Sequence, residues 1–128
     1  MDWVFKCYGE VKKDLHSWRK VLDLKSQARW DNMLDYLVQS PKEQWAQTNY
    51  FYPLHGKECK QLFEVRFKWK NVQYRPIGFF GPDKGSFTFV LYAKEIGGKF
   101  EPKNACEAAQ RNRASAVANP GLCYECDF

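Results

Sequence analysis

The sequence predicts an α+β domain: a small antiparallel or mixed sheet carrying an N-terminal helical hairpin and a C-terminal helix. Three observations predict it. Across residues 62–70, Phe63, Val65, Phe67 and Trp69 alternate with Glu64, Arg66, Lys68 and Lys70, the period of two of a half-buried antiparallel strand. Between residues 11 and 37, apolar residues recur at helical spacing. Near the other end, Asn104 and Glu107 bracket the start of an alanine-rich helix in the pattern of a capping box. One strand, two helices, three strands and a helix make a sheet with helices packed on it.

Taken in order, residues 2–8 read as a strand in which Trp3, Phe5 and Cys7 alternate with Val4 and Lys6. Val11, Leu15, Trp18 and Leu22 line one face of a first helix. Asp23 is placed to cap a second, whose apolar face is Trp30, Met33, Leu34 and Leu37. No Gly or Pro separates the two, and a break near residues 22–25 is expected because a hairpin packs better on a small sheet. Ser40, Pro41 and Glu43 suggest a capping box with Pro at the first position of a short helical turn. An aromatic loop, residues 49–56, leads to the strand at 62–70, with Asn71 in the turn. A second strand is predicted for residues 72–80 and a third for 86–94, joined by the turn residues 81–85. Pro76 and Gly78 sit badly in the second strand and predict an edge, a bulge or a bend there. The last helix stops at Asn119-Pro120-Gly121. The expected organisation is one domain over residues 1–119 and a C-terminal tail over 120–128.

The 128 residues suit one domain, and 45% hydrophobic and 17% aromatic content argues against disorder. No apolar run approaches the ~18 residues of a membrane helix, and the N-terminus lacks the pattern of a secretory signal, so a soluble cytoplasmic protein is expected, mature from its first residue. The five cysteines have no disulfide-framework spacing, and reduced thiols are expected. A net charge of +5 permits a polyanionic partner without requiring one.

The chemistry lies in where the cations fall. Arg66, Lys68 and Lys70 project from one strand, Arg75 opens the next, and Lys94 ends the third. A tight meander brings such positions towards one concave patch. Tyr74, Tyr92 and His55 lie near it in sequence and offer rings to nucleobases. Such a patch can bind phosphates, and it can stabilise the extra charge of a phosphorane-like transition state while a neighbour removes the ribose 2′-OH proton. The plainer alternative is a solvated strand face, where alternating charge needs no ligand.

Three short stretches resemble the RelE/HigB-like toxins of bacterial and phage toxin–antitoxin systems: Leu62-Phe63-Glu64-Val65-Arg66, Tyr74-Arg75 and Phe89-Val90-Leu91-Tyr92-Ala93-Lys94. Their order and spacing, with a final Ala/Arg helix, extend the resemblance over most of the chain. It implies a RelE-like fold, and a metal-independent mRNA endonuclease, phage-derived, that works in the ribosomal A site and leaves a 2′,3′-cyclic phosphate. It implies that Arg66 and Arg75 clamp the scissile phosphate and that Lys94 adds a catalytic cation, with Lys68 in support. It places the last helix, with Arg111 and Arg113, beside the active face as further RNA contacts. The partners implied are mRNA on the ribosome and a small helix-turn-helix antitoxin, with no cofactor and no membrane. The sequence departs from the pattern at Pro76 and at Glu95, which stands where many members carry a second lysine. A non-catalytic RNA- or antitoxin-binding module is therefore the alternative function, and a decoy that captures a host antitoxin is a third.

Other signals are weaker. Cys123 and Cys126 have the spacing of half a zinc site, but nothing pairs with them at comparable spacing, and no metal is expected. Cys7 is in phase with the core. His55 could serve as a general acid, though a loop histidine more often only packs.

Overall fold

The structure, a computed structural model, describes residues 2–126. Among these residues ten strands form two sheets. The strands are β1 (Val4–Tyr8), β2 (Phe51–Pro53), β3 (Phe63–Val65), β4 (Phe67–Trp69), β5 (Val72–Tyr74), β6 (Ile77–Phe80), β7 (Ser86–Leu91), β8 (Lys94–Ile96), β9 (Lys99–Glu101) and β10 (Cys123–Glu125). The helices are α1 (Val11–Val21), α2 (Leu24–Gln39), α3 (Lys42–Trp45) and α4 (Ala105–Ala118). The larger sheet runs β10-β1-β7-β6-β3-β2, and the smaller β4-β5-β8-β9. Among the described residues only β1 and β7 pair in parallel.

This corrects the predicted architecture. The fold is mixed α/β, and its helices are not an N-terminal hairpin set on a small sheet. The physical reason lies in β7, whose Ser86, Phe87, Thr88, Phe89 and Val90 are all buried. Phe87 and Phe89 join Phe5, Trp30 and Trp45 in a core with α1, α2 and α3. Val90 joins Ile77, Phe79, Ala105, Ala109 and Ala116 in a second core with α4. A central strand covered on both faces gives three layers. The intervening Ser86 and Thr88 look like a solvent face in the sequence, but their hydroxyls donate to the Gly81 carbonyl. Gly78 lets β6 approach β7, since a Cβ there would lie 2.5 Å from the Phe87 ring and from the Thr88 carbonyl oxygen.

The second sheet arises because all three meander strands crease at one level. The first breaks at Arg66, the second at Arg75 and Pro76, and the third at Tyr92 and Ala93. The bend expected at Pro76 is present: β5 stops before it and β6 starts after it, with a register shift at Ile77/Gly78. Pro76 has no N–H to give, but its carbonyl accepts from Val65 N at 3.1 Å. Arg75 N donates to the Ala93 carbonyl at 2.8 Å, which closes the crease on the other side.

Several local expectations are settled. Two helices form, and Asp23 caps the second by accepting from Ser26 N at 3.0 Å. Neither capping box forms. Pro41 is the N-cap of α3 while the Ser40 hydroxyl donates back to the Tyr36 carbonyl, and Asn104 makes no side-chain cap. Lys70 is not a strand residue: with Asn71 it takes positive φ (49° and 65°) in the two-residue turn between Trp69 and Val72. The chain from 120 onward is no separate tail, because β10 pairs with β1, while residues 127 and 128 lie outside the described residues. The cysteines are not the reduced thiols expected: Cys7 bonds Cys126 and Cys59 bonds Cys106, leaving Cys123 free and buried. With Cys126 so engaged, the Cys123/Cys126 spacing is no metal half-site. Among the described residues no helix is long and apolar enough to cross a membrane.

Candidate nucleic-acid interface

The crease concentrates charge. Glu64 faces inwards from β3 with a side-chain exposure of 1%, and its Oε2 accepts a 2.6 Å hydrogen bond from Arg66 Nε. The same oxygen lies 3.5 Å from Arg75 Nε, a contact of charges rather than a formed hydrogen bond. Arg75 Nη1 reaches Glu95 Oε1 at 3.0 Å. One buried carboxylate thus holds two arginines side by side, and a second carboxylate engages one of them. The Arg66 guanidinium also lies over Tyr52, 3.7 Å from the ring centroid, and the Arg66 backbone N–H donates to the Tyr50 carbonyl at 2.8 Å. Arg66 remains about a third exposed while Arg75 is mostly buried. The outer arginine is therefore the one presented to a ligand, and the inner one is held from both sides.

A cleft of about 530 Å³ opens on this pair, lined by Arg29, Met33, Asn49, Tyr50, Arg66, Phe67, Lys68, Gln73 and Arg75. Arg29 comes from α2. Its guanidinium stacks 4.1 Å from the Phe67 ring and donates to the Lys68 carbonyl at 2.5 Å, which occupies part of the open edge of β4. Among the described residues no carboxylate lines the cleft: Glu64 stands behind the arginines, and Glu95 lies to the side, against Arg75.

Of the residues singled out from sequence, Arg66, Lys68 and Arg75 come together here. Lys94 does not. It pairs with Tyr74 in the register of β5 and β8, while Gln73 pairs with Glu95. Paired residues share a face, so Lys94 and Tyr74 lie on the side of the small sheet opposite Gln73 and Glu95. Tyr74 packs on Trp18 at 5.1 Å and stacks with Tyr92 at 6.4 Å, as a wall of the helix-side core rather than a nucleobase platform. Lys70 sits in its turn over Trp69. His55 is exposed in the loop after β2, and Arg111 is exposed on α4. Arg113 donates to Gln61 and Gln110 and lies over Phe79. None of these lines the cleft. The single converging patch expected from the meander is therefore narrower than predicted, because the crease and the pleat send Lys94 to the far side.

The sequence reading missed Glu64 as organiser, Arg29, Tyr50 and Tyr52. Glu64 stood in the alternation as one more solvent-facing charge. Arg29 and Met33 do carry a signal: their spacing of four puts them on one flank of α2, beside its buried Trp30 stripe. Comparison with family models, with curated proteins and with solved structures finds no match for this chain.

Proposed function

We propose that the protein acts on RNA at this cleft, as a metal-independent endoribonuclease of the toxin–antitoxin kind that the motifs around Arg66, Arg75 and Tyr92 resemble. The observation that supports it best is the Arg66–Glu64–Arg75 arrangement, two guanidinium groups fixed side by side by one buried carboxylate in a cleft that no carboxylate lines among the described residues. Arginine is suited to bidentate phosphate contact, and pre-positioned cations stabilise charge that develops in a transition state. In the proposed reaction the ribose 2′-oxygen attacks the adjacent phosphorus. The 2′-hydroxyl proton leaves to water, the bond from phosphorus to the 5′-oxygen breaks, and that oxygen takes a proton back from water, so that a 2′,3′-cyclic phosphate and a 5′-hydroxyl end result. Arg66 and Arg75 hold the non-bridging oxygens. Lys68, which shares the cleft, takes the role first given to Lys94. The ribosomal A site as the place of action, and a helix-turn-helix antitoxin that masks the cleft, belong to the same proposal.

A second reading is an RNA-binding module without cleavage. Two observations favour it: Glu95 already engages Arg75, and the two disulfides fit an oxidising compartment rather than the cytoplasm that ribosome-dependent cutting requires. Induced expression in a bacterial host decides between them, with growth followed and mRNA 5′ ends mapped for the wild type, Arg66→Ala and Arg75→Ala. Growth arrest with new mRNA ends, lost in both variants, supports the endonuclease. Intact mRNA together with salt-dependent RNA binding by the purified protein supports the module.

A further inference from the structure

The cleft at the arginine pair is one end of a longer groove. A second hollow of about 750 Å³ runs along α2 and is lined by Lys25, Ser26, Ala28, Arg29, Asn32, Met33, Tyr36 and Tyr50. It shares Arg29, Met33 and Tyr50 with the cleft. A third of about 380 Å³ meets both at Tyr50 and continues past Tyr36 to Gln44, Gln47 and Thr48. From Lys25 to Tyr36 the helix rises roughly 16 Å, at about 1.5 Å per residue. Among the described residues the charges along this path are all of one sign, Lys25, Arg29, Arg66, Lys68 and Arg75, and no carboxylate lines any of the three hollows. Of the hollows beside α1, one is lined by Glu10 and Asp14 and the other mixes Glu10 with Lys12 and Lys13. Two tyrosines stand at the junction, Tyr36 with 49% of its surface exposed and Tyr50 half-buried.

We propose that this α2 groove is a track for single-stranded RNA leading to the Arg66–Arg75 pair, with Lys25 and Arg29 on phosphates and Tyr36 and Tyr50 as stacking platforms for bases. A cationic channel interrupted by aromatic rings is the arrangement that binds single strands without reading sequence. A duplex keeps its bases stacked inside and leaves the tyrosines nothing to take. An acidic polypeptide could satisfy the cations but not the rings. This inference rests on the proposed action on RNA and names the form of the substrate and the path it follows.

The test is fluorescence anisotropy with a labelled single-stranded oligoribonucleotide, the matching duplex and polyglutamate, each titrated at several salt concentrations. The wild type should bind the single strand about tenfold or more tighter than the duplex or polyglutamate. Lys25→Gln and Arg29→Gln should each weaken binding and reduce the salt slope by about one ion. Tyr36→Leu and Tyr50→Leu should weaken it by roughly 5- to 100-fold with the salt slope unchanged. Lys84→Gln, in the exposed turn before β7, should leave it as it was. Lys25 and Tyr36 are both exposed, so their variants keep the test valid should Arg29→Gln or Tyr50→Leu lower stability. Equal affinity for duplex or polyglutamate, or tyrosine variants that bind as the wild type does, overturns the track. If Arg66→Gln abolishes binding while the groove variants do not, the phosphate site stands and the track falls. If the groove variants weaken binding and Arg66→Gln does not, the track stands and the arginine site falls. No RNA binding at all removes both.

Discussion

Arg75, in the crease just after β5, meets Glu95 on the neighbouring strand β8, with Nη1 and Oε1 3.0 Å apart. The same guanidinium has Glu64 behind it at 3.5 Å. A phosphate approaching Arg75 therefore meets a group already engaged by two carboxylates, and it must compete with the outer one. Glu95, in the middle of β8 and paired with Gln73, is the less buried of the two, with 26% side-chain exposure against 1% for Glu64.

Replacing Glu95 with Gln should release Arg75 without disturbing Glu64. A partly exposed pair is worth about 1 kcal/mol, so RNA affinity should rise by about fivefold, and the salt dependence should steepen by roughly one ion. Titration of an oligoribonucleotide at several salt concentrations measures both. Unchanged affinity would mean that Arg75 does not meet phosphate.

Glu64→Gln should act the other way. It keeps the shape of the side chain but leaves Arg66 and Arg75 adjacent with no charge between them. Removing one member of a fully buried pair costs about 3–5 kcal/mol, and with Arg66 partly in water the loss here should be on the order of 2–3 kcal/mol. Thermal or urea unfolding gives the stability. Binding separates positioning from simple charge. If Glu64 only neutralises, the variant binds RNA more tightly. If Glu64 positions the arginines, the variant binds more weakly despite its extra positive charge.

The sequence shows its elements more clearly than their assembly. The helix start at Asp23, the break after Leu22 and the disruption at Pro76 follow from local chemistry, namely a carboxylate that accepts a backbone N–H and a ring that cannot donate one. The two-sheet architecture is a consequence of pairing at a distance. Nothing in residues 62–70 says that the strand creases at Arg66, because the alternation simply continues through the break. Three-residue strands such as β2, β9 and β10 have no periodicity long enough to read. Arg66 and Arg75 are legible as cations near a turn, but Lys94 is misplaced because a one-residue difference in register decides the face. The two disulfides join residues 119 and 47 positions apart, and no spacing rule reaches so far.

Gly78→Ala tests the close approach that the large sheet depends on. The added methyl would lie 2.5 Å from both the Phe87 ring and the Thr88 carbonyl, so backbone and ring must move together. Overpacking of this kind costs about 1–3 kcal/mol. Urea unfolding should show the midpoint falling with an unchanged slope. A variant as stable as the wild type would mean that β6 and β7 stand further apart than described.

The Cys7–Cys126 bond ties β10 to β1 and closes a loop across nearly the whole chain. Cys7→Ser should lower stability by about 2–5 kcal/mol, more than an ordinary buried substitution of that size, because it also frees the end of the chain. Thiol titration of the native protein should find only Cys123 among the described cysteines, reacting slowly because the group is buried and its pKa is pushed up by that burial. Fast reaction of several thiols in the native protein would show that the disulfides do not form.

Tyr92 offers a test by pH. Burial, with Tyr74 and Asp14 nearby, pushes its phenol up to about 12 from an ordinary value of 10.0. The fold therefore favours the neutral form. Below about pH 10 both folded and unfolded chains hold the proton, and the tyrosine adds no pH dependence. Above that, the unfolded chain releases it first, so stability falls as pH rises from 10 towards 12 and levels off once the folded form ionises too. Tyr92→Phe should remove this part of the alkaline loss while keeping the ring against Tyr74. Spectrophotometric titration of the phenolates should show one tyrosine fewer in the late-ionising group. If the alkaline slope of stability is the same in the variant, Tyr92 is not the group responsible, and its hydroxyl lies in water rather than against the helix-side core.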